Sequence, residues 1–131
     1  MKVPAPVTTP AISRVAISWI CVATNDGHPL HLDHEFARAA GFRDVVVPGH
    51  MLIGWIGQYL EDWCGGDPRR LLDWKIRFTA PAWPGDAFTI AGEYAAEDPP
   101  SPDERIVHVT ATSQEGKVCA TAVARLRMPS Q

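Results

Sequence analysis

Apolar positions along this chain change their period about halfway. In the first half they recur at helical spacing. Across residues 14–24, Ile12, Ala16, Ile20 and Ala23 form one such row, Val15, Trp19 and Val22 form a neighbouring row, and Ser13 precedes them as an N-cap. The spacing predicts a short helix. Asp33 then stands ready to cap a second short helix, HEFARAAG, with Gly41 at its C′ position. His34 falls in the first turn of that helix, where the dipole does not favour positive charge, so it reads as a solvated surface residue. Residues 45–47, all valine, make a brief extended run into Pro48. From Gly49 to Trp63 the chain is apolar nearly all round, with Gln58, Glu61 and Asp62 as the main polar positions, which predicts a long buried helix. Gly54 and Gly57 inside it each cost ~1 kcal/mol of helix propensity, so they predict close approach by another backbone.

In the second half the period falls to two. Residues 71–79, 87–94, 105–113 and 118–128 alternate apolar and polar side chains over most of their lengths, separated by the turn material APAWPGD, AEDPPSPDE and QEGK. Helices followed by a run of strands predict an α+β protein, and four successive strands predict an antiparallel meander. Residues 1–11 hold three prolines and predict an extended arm or a short edge strand. Residues 97–104, EDPPSPDE, predict a stiff solvated hairpin loop rather than a boundary, so residues 1–131 read as one domain.

Composition narrows the function more than the fold. A hydrophobic fraction of 46% and a charged fraction of 21% are those of an ordinary globular protein. The net charge of -3 leaves no basic footprint for nucleic acid, so any acidic ligand has to meet local basic residues. No apolar run is long enough to span a bilayer and the first residues lack the apolar core of a signal peptide, which predicts a cytoplasmic protein without a membrane partner. Cys21, Cys64 and Cys119 are odd in number and far apart, so free thiols are expected rather than a disulfide framework or a zinc site.

The chemistry concentrates in residues 24–33, TNDGHPLHLD. Gly27 and Pro29 predict a loop there, and that loop carries a carboxylate at Asp26 and an imidazole at His31. Adding water to a double bond requires a proton acceptor and a proton donor near one carbon–carbon bond, and these two groups supply both near neutral pH. Spacing alone does not bring them together, since five extended residues reach up to ~16 Å. Asp and His in a Gly/Pro loop also serve as turn formers and caps.

The run from Thr24 to Trp63 resembles the MaoC-like (R)-specific enoyl-CoA hydratase and dehydratase family, ungapped over roughly forty residues in the manner of a motif with structural context. The family signature is a small residue, glycine, aspartate, any residue, asparagine, proline, an aliphatic residue and histidine, usually with an aspartate two further on. Asp26, Pro29, Leu30, His31 and Asp33 match it. An Ala-rich segment at residues 37–40, Gly41-Phe42 and Gly49 continue the likeness. Two positions depart: Asn25 stands for the glycine and His28 for the asparagine. Asn25 requires a negative φ or asparagine's tolerance of the left-handed region. His28 keeps one hydrogen bond, adds a third titrating group or faces solvent.

The resemblance implies a hotdog fold, in which an antiparallel sheet wraps a long central helix, and reversible hydration of trans-2-enoyl thioesters or dehydration of (R)-3-hydroxyacyl thioesters. Asp26 and His31 are then catalytic and the Gly49 amide is the oxyanion donor, with no metal and no cofactor. Without the resemblance, Gly49 after Pro48 equally makes a simple turn into the helix. His50, His28 and Arg77 are the candidate substrate-binding residues, Arg77 because it belongs to a basic cluster with Arg69, Arg70 and Lys75 that can attract coenzyme A phosphates. His108 reads as an ordinary strand residue. Trp74, Phe78 and Trp83 pack the sheet on the helix or line an acyl tunnel, packing being the simpler role.

An open sheet edge predicts at least a homodimer or a pairing with another hotdog subunit, and PGxM followed by GWIGQYLEDW is similar to members that pair with a different subunit in steroid side-chain breakdown. Other members tailor polyketides, and the thioester is carried by coenzyme A or a carrier protein. The alternatives are a hotdog thioesterase and a non-catalytic or acyl-binding subunit, to which His28 and His50 point.

Overall fold

The computed structural model describes residues 1–130. Its elements run β1 (Val7–Thr8), α1 (Arg14–Ala23), α2 (Pro29–Leu32), α3 (His34–Ala39), α4 (Gly49–Trp63), a 3-10 turn (Pro68–Arg70), β2 (Leu71–Phe78), β3 (Phe88–Tyr94), β4 (Glu104–Ser113) and β5 (Val118–Arg127). Helices precede strands, as the change of period predicts. All the strands lie in one antiparallel sheet in the order β1-β3-β4-β5-β2.

That order corrects the simple meander. Only β3, β4 and β5 follow one another. β2 pairs with β5 instead of β3, because the outer edge of β3 is taken by β1 through Val7 and Thr8. Residues 79–87 therefore cross from one side of the sheet to the other, and in doing so they supply one wall of the cleft described below. Sequential elements pair or neighbour only about two-thirds of the time, so a nine-residue crossing is within the ordinary range.

The core lies between the sheet's inner face and α4. Phe88 and Ile90 of β3, Val107, Val109 and Ala111 of β4, and Leu126 of β5 are buried with Leu52, Ile56, Tyr59, Leu60 and Trp63 of the helix. On β5, Ala120, Ala122 and Ala124 stand opposite Phe78, Ile76 and Trp74 of the edge strand β2, so small side chains make room for large ones across the register. α4 is not wholly covered: His50, Gly54, Gln58 and Asp62 form an exposed stripe at four-residue spacing. The two inner glycines are explained differently from expectation. An added Cβ at Gly57 would rest 3.7 Å from the ring of Trp74, and one at Gly54 would meet nothing, so neither faces a backbone.

α1 buries Ile17 and Cys21, a row one position away from the one predicted, and leaves Val15, Trp19 and Val22 exposed. A helix apolar on several faces does not fix by its period which face turns inward. Ser13 caps it as expected, accepting from the Ala16 N–H at 3.0 Å. Asp33 caps α3 through the Phe36 N–H at 3.1 Å, and Gly41, at φ +96°, closes it. No helix is long and apolar enough to cross a membrane among the described residues.

Candidate functional site

Asp26 owes its position to the way α1 ends. The N–H of Asp26 reaches back to the Cys21 carbonyl at 2.8 Å and that of Asn25 to Val22 at 3.2 Å, the paired closure in which the residue after the cap turns left-handed. Asn25 is that residue, at φ +52°. Of the two conformations open to it, it adopts the left-handed one. Replacing Asn25 with Ala should destabilise the fold by about 1 kcal/mol, whereas Asn25→Gly should stay within a few tenths, because a left-handed L-residue without a helping side chain carries that strain. Urea unfolding of both variants checks this.

His31 lies on a helical turn, which corrects the loop expected from Gly27 and Pro29. Pro29 occupies the first helical position, where its missing N–H is no loss, and the His28 ring Nδ1 caps the turn by accepting from the Leu30 N–H at 3.0 Å. The turn is then tied to residues 45–47. Val46 donates to the Leu30 carbonyl at 3.0 Å, and the His31 Nδ1 lies 2.5 Å from the Val46 carbonyl. A carbonyl only accepts, so this contact makes Nδ1 the protonated nitrogen and leaves the Nε2 lone pair free in the neutral ring. That Nε2 faces Asp26 Oδ2 at 3.4 Å. The five-residue separation thus collapses to near contact, with Asp26 33% and His31 15% exposed.

Two acceptors aimed at each other at that distance share a donor well. A water molecule, with two O–H groups, can donate to both; a protonated imidazole can instead pair directly with the carboxylate. Either way the pair can hold and relay one proton.

Asp44 supports the arrangement from below. It accepts from both terminal nitrogens of Arg14, at 3.0 and 2.6 Å, from the Val45 N–H at 2.7 Å, and lies 2.9 Å from the His34 Nδ1. The Arg14 guanidinium holds its carboxyl well below the usual carboxylate range. These contacts join the starts of α1 and α3 to the segment that carries Val46. His34 is thus the exposed surface residue expected, with a carboxylate partner in addition.

His31, Val46, Val47 and Gly49 line a cleft of about 460 Å³, closed on another side by Leu52, Phe78 and the crossing residues 79–82. Pro48 gives α4 no side-chain cap, Met51 bonds back to the Pro48 carbonyl at 3.1 Å, and the Gly49 N–H has no acceptor among the described residues. First-turn amides of this kind carry partial positive charge and suit a developing oxyanion. His31 and Gly49 thus line one cleft, while Asp26 does not line it and is joined to it through His31.

The other candidates sit elsewhere. His28 is exposed, its ring edge-on to Phe36 at 5.8 Å and committed at Nδ1 to the cap. His50 is exposed on α4 beside the cleft and does not line it. Arg77 is exposed on β2, and strand alternation turns it to the face opposite that of Ile76 and Phe78, so the cleft does not receive it. His108 Nε2 lies 4.0 Å from Glu97 at the surface. Sequence reasoning did not reach the Val46 carbonyl or Asp44. Any residue offers a carbonyl, and Asp44 has no motif around it.

A five-stranded antiparallel sheet packed on one long helix, with an acid and an imidazole meeting near that helix's first turn, makes this a hotdog-fold protein. The family model described as "MaoC like domain" matches residues 4–117, and the chain belongs to that family of hydratases and dehydratases. It is 36% identical over 66 residues to the "Probable enoyl-CoA hydratase 2" of Dictyostelium discoideum, a match covering 50% of this chain and 22% of that protein. The match thus takes in under a quarter of that relative's length. Its fold is similar to a chain of the ChsH1-ChsH2 complex from Mycobacterium tuberculosis, with a TM-score of 0.80, 24% identity, and 98% and 96% of the two chains covered. The (R)-hydratase of A. caviae involved in PHA biosynthesis is equally similar, at a TM-score of 0.80, 22% identity and 98% of each chain.

Proposed function

We propose that this chain catalyses reversible addition of water to trans-2-enoyl thioesters, giving (R)-3-hydroxyacyl thioesters. The observation that carries this reading is the 3.4 Å approach of His31 Nε2 to Asp26 Oδ2, with Nδ1 committed to Val46. Water held by both acceptors has its remaining lone pairs free for the β-carbon. As the C–O bond forms, the π electrons of the double bond shift through the α-carbon to the thioester oxygen, where the Gly49 N–H stabilises the charge. One water proton passes to the Asp26–His31 pair and is returned to the α-carbon as the carbonyl reforms. One pair on one side of the substrate predicts addition of H and OH to the same face. Loss of a donor such as the Gly49 N–H typically costs ~3 kcal/mol of transition-state stabilisation.

Coenzyme A or a carrier protein can carry the acyl group. The assembly is a homodimer or a pair with a second hotdog subunit, supported by the open outer edge of β2, the exposed stripe on α4 and the exposed Trp19 row on α1. The test is incubation of the chain with crotonyl-CoA and longer, branched and steroidal enoyl-CoA esters, following loss of the conjugated absorbance and gain of one water in mass. Hydrated thioester is the expected product. Free thiol without it would point to a hotdog thioesterase, and activity restored only by a second hotdog protein would make this chain one half of the enzyme.

A further inference from the structure

Phe78 occupies an unusual place for a large apolar side chain: it is 49% exposed, yet its ring is packed on the glycine that opens α4. A Cβ built on Gly49 would lie 2.6 Å from the Phe78 Cζ and 3.0 Å from Cε2. The reason is a matching of lengths. Trp74 and Phe78 are four residues apart on one face of β2, about 13 Å at strand rise, and they meet Gly57 and Gly49, eight residues and about 12 Å apart on the helix. Trp74 stands at ordinary contact distance. Phe78 presses closer, and it does so on the residue whose N–H has no acceptor among the described residues.

A thioester whose oxygen accepts from the Gly49 N–H must lie about 3 Å from that nitrogen. Its carbonyl carbon and α-carbon then fall beside the Phe78 ring. His31 enters the same cleft from α2, so the acyl group lies in a slot bounded by two rings from different elements. An unbranched α-carbon is thin enough for such a slot. A tetrahedral α-carbon bearing a methyl group has to push against the ring.

We propose that Phe78 is a specificity-determining residue that discriminates against branching at the α-carbon of the acyl group. This rests on the placement of a thioester at Gly49 given above, but not on turnover. The test is calorimetric titration of the full chain with two unreactive saturated esters, butanoyl-CoA and 2-methylbutanoyl-CoA. The wild-type protein should bind the branched ester about tenfold more weakly or worse, within the range of roughly 10 to 200-fold that one carbon produces in an apolar pocket. Phe78→Ala should narrow the ratio to about twofold, and Phe78→Leu, which keeps an apolar contact on Gly49, should lie between. Equal binding of the two esters by the wild type, a ratio unmoved in Phe78→Ala, or no binding of either ester would overturn the proposal. Binding that follows the expected ratios, without hydration of any enoyl-CoA ester of that panel even when a second hotdog protein is added, would leave it standing and remove the hydratase reading instead.

Discussion

Asp26→Asn is expected to lower the rate of crotonyl-CoA hydration by about 10² to 10⁴-fold, the range supplied by a positioned general acid or base, while the melting temperature stays close to that of the wild type. The amide has the shape of the carboxylate and leaves the backbone closure to Cys21 untouched, since that bond uses the Asp26 N–H. What it loses is the ability to accept and return a proton. Because Asp26 is 33% exposed, its charge contributes little to stability, so activity and stability should separate. His31→Gln should cost a similar factor. Both substitutions together should cost little more than either alone, as for groups that act as one unit. Steady-state kinetics with a thermal melt on each variant checks all of this, and near-normal turnover of Asp26→Asn would remove the proton relay from the mechanism.

The periodic parts of the molecule were legible because side-chain spacing is a direct image of backbone geometry. The change from helical to strand period gave each main strand to within one residue or two, and Ser13, Asp33 and Gly41 marked helix ends by local hydrogen bonding alone. Features set by tertiary choice were not. Which face of α1 turns inward depends on its neighbours, since several faces are apolar. The place of β2 depends on β1 having taken the edge of β3. At the site, the residue types at Asp26 and His31 were readable, and their meeting was not. It required a left-handed Asn25, a one-turn helix with proline first, and a carbonyl from residue 46, the last contributed by a separate part of the chain. Arg77 shows the reverse error, a basic residue that looks available in sequence and is turned away by the two-residue period of its own strand.

The largest loss of stability is expected from a glycine that no motif marks. Gly92 lies on β3 opposite Val109, and a Cβ there would come 2.5 Å from the Trp63 Cζ3, 3.0 Å from the Tyr59 Cε1 and 3.1 Å from the His108 carbonyl oxygen. None of these gives way easily. Trp63 and Tyr59 are buried, edge-on to each other at 6.0 Å, and the Tyr59 hydroxyl donates to the Pro4 carbonyl at 2.7 Å while accepting from the Gly92 N–H at 3.1 Å. The third neighbour is backbone of the adjacent strand. Gly92→Ala must therefore shift the end of α4 off the sheet or part β3 from β4, and overpacking of this kind costs about 1–3 kcal/mol and at times more. At about 4 °C per kcal/mol for a chain of this size, the melting temperature should fall by roughly 4 to 12 °C. The cleft lies at the opposite end of α4, by Gly49, so turnover measured well below the melt should fall far less than in Asp26→Asn. A Gly92→Ala protein that melts with the wild type would show that Trp63 and Tyr59 are free to move, and that the helix is not held against the sheet by those two rings.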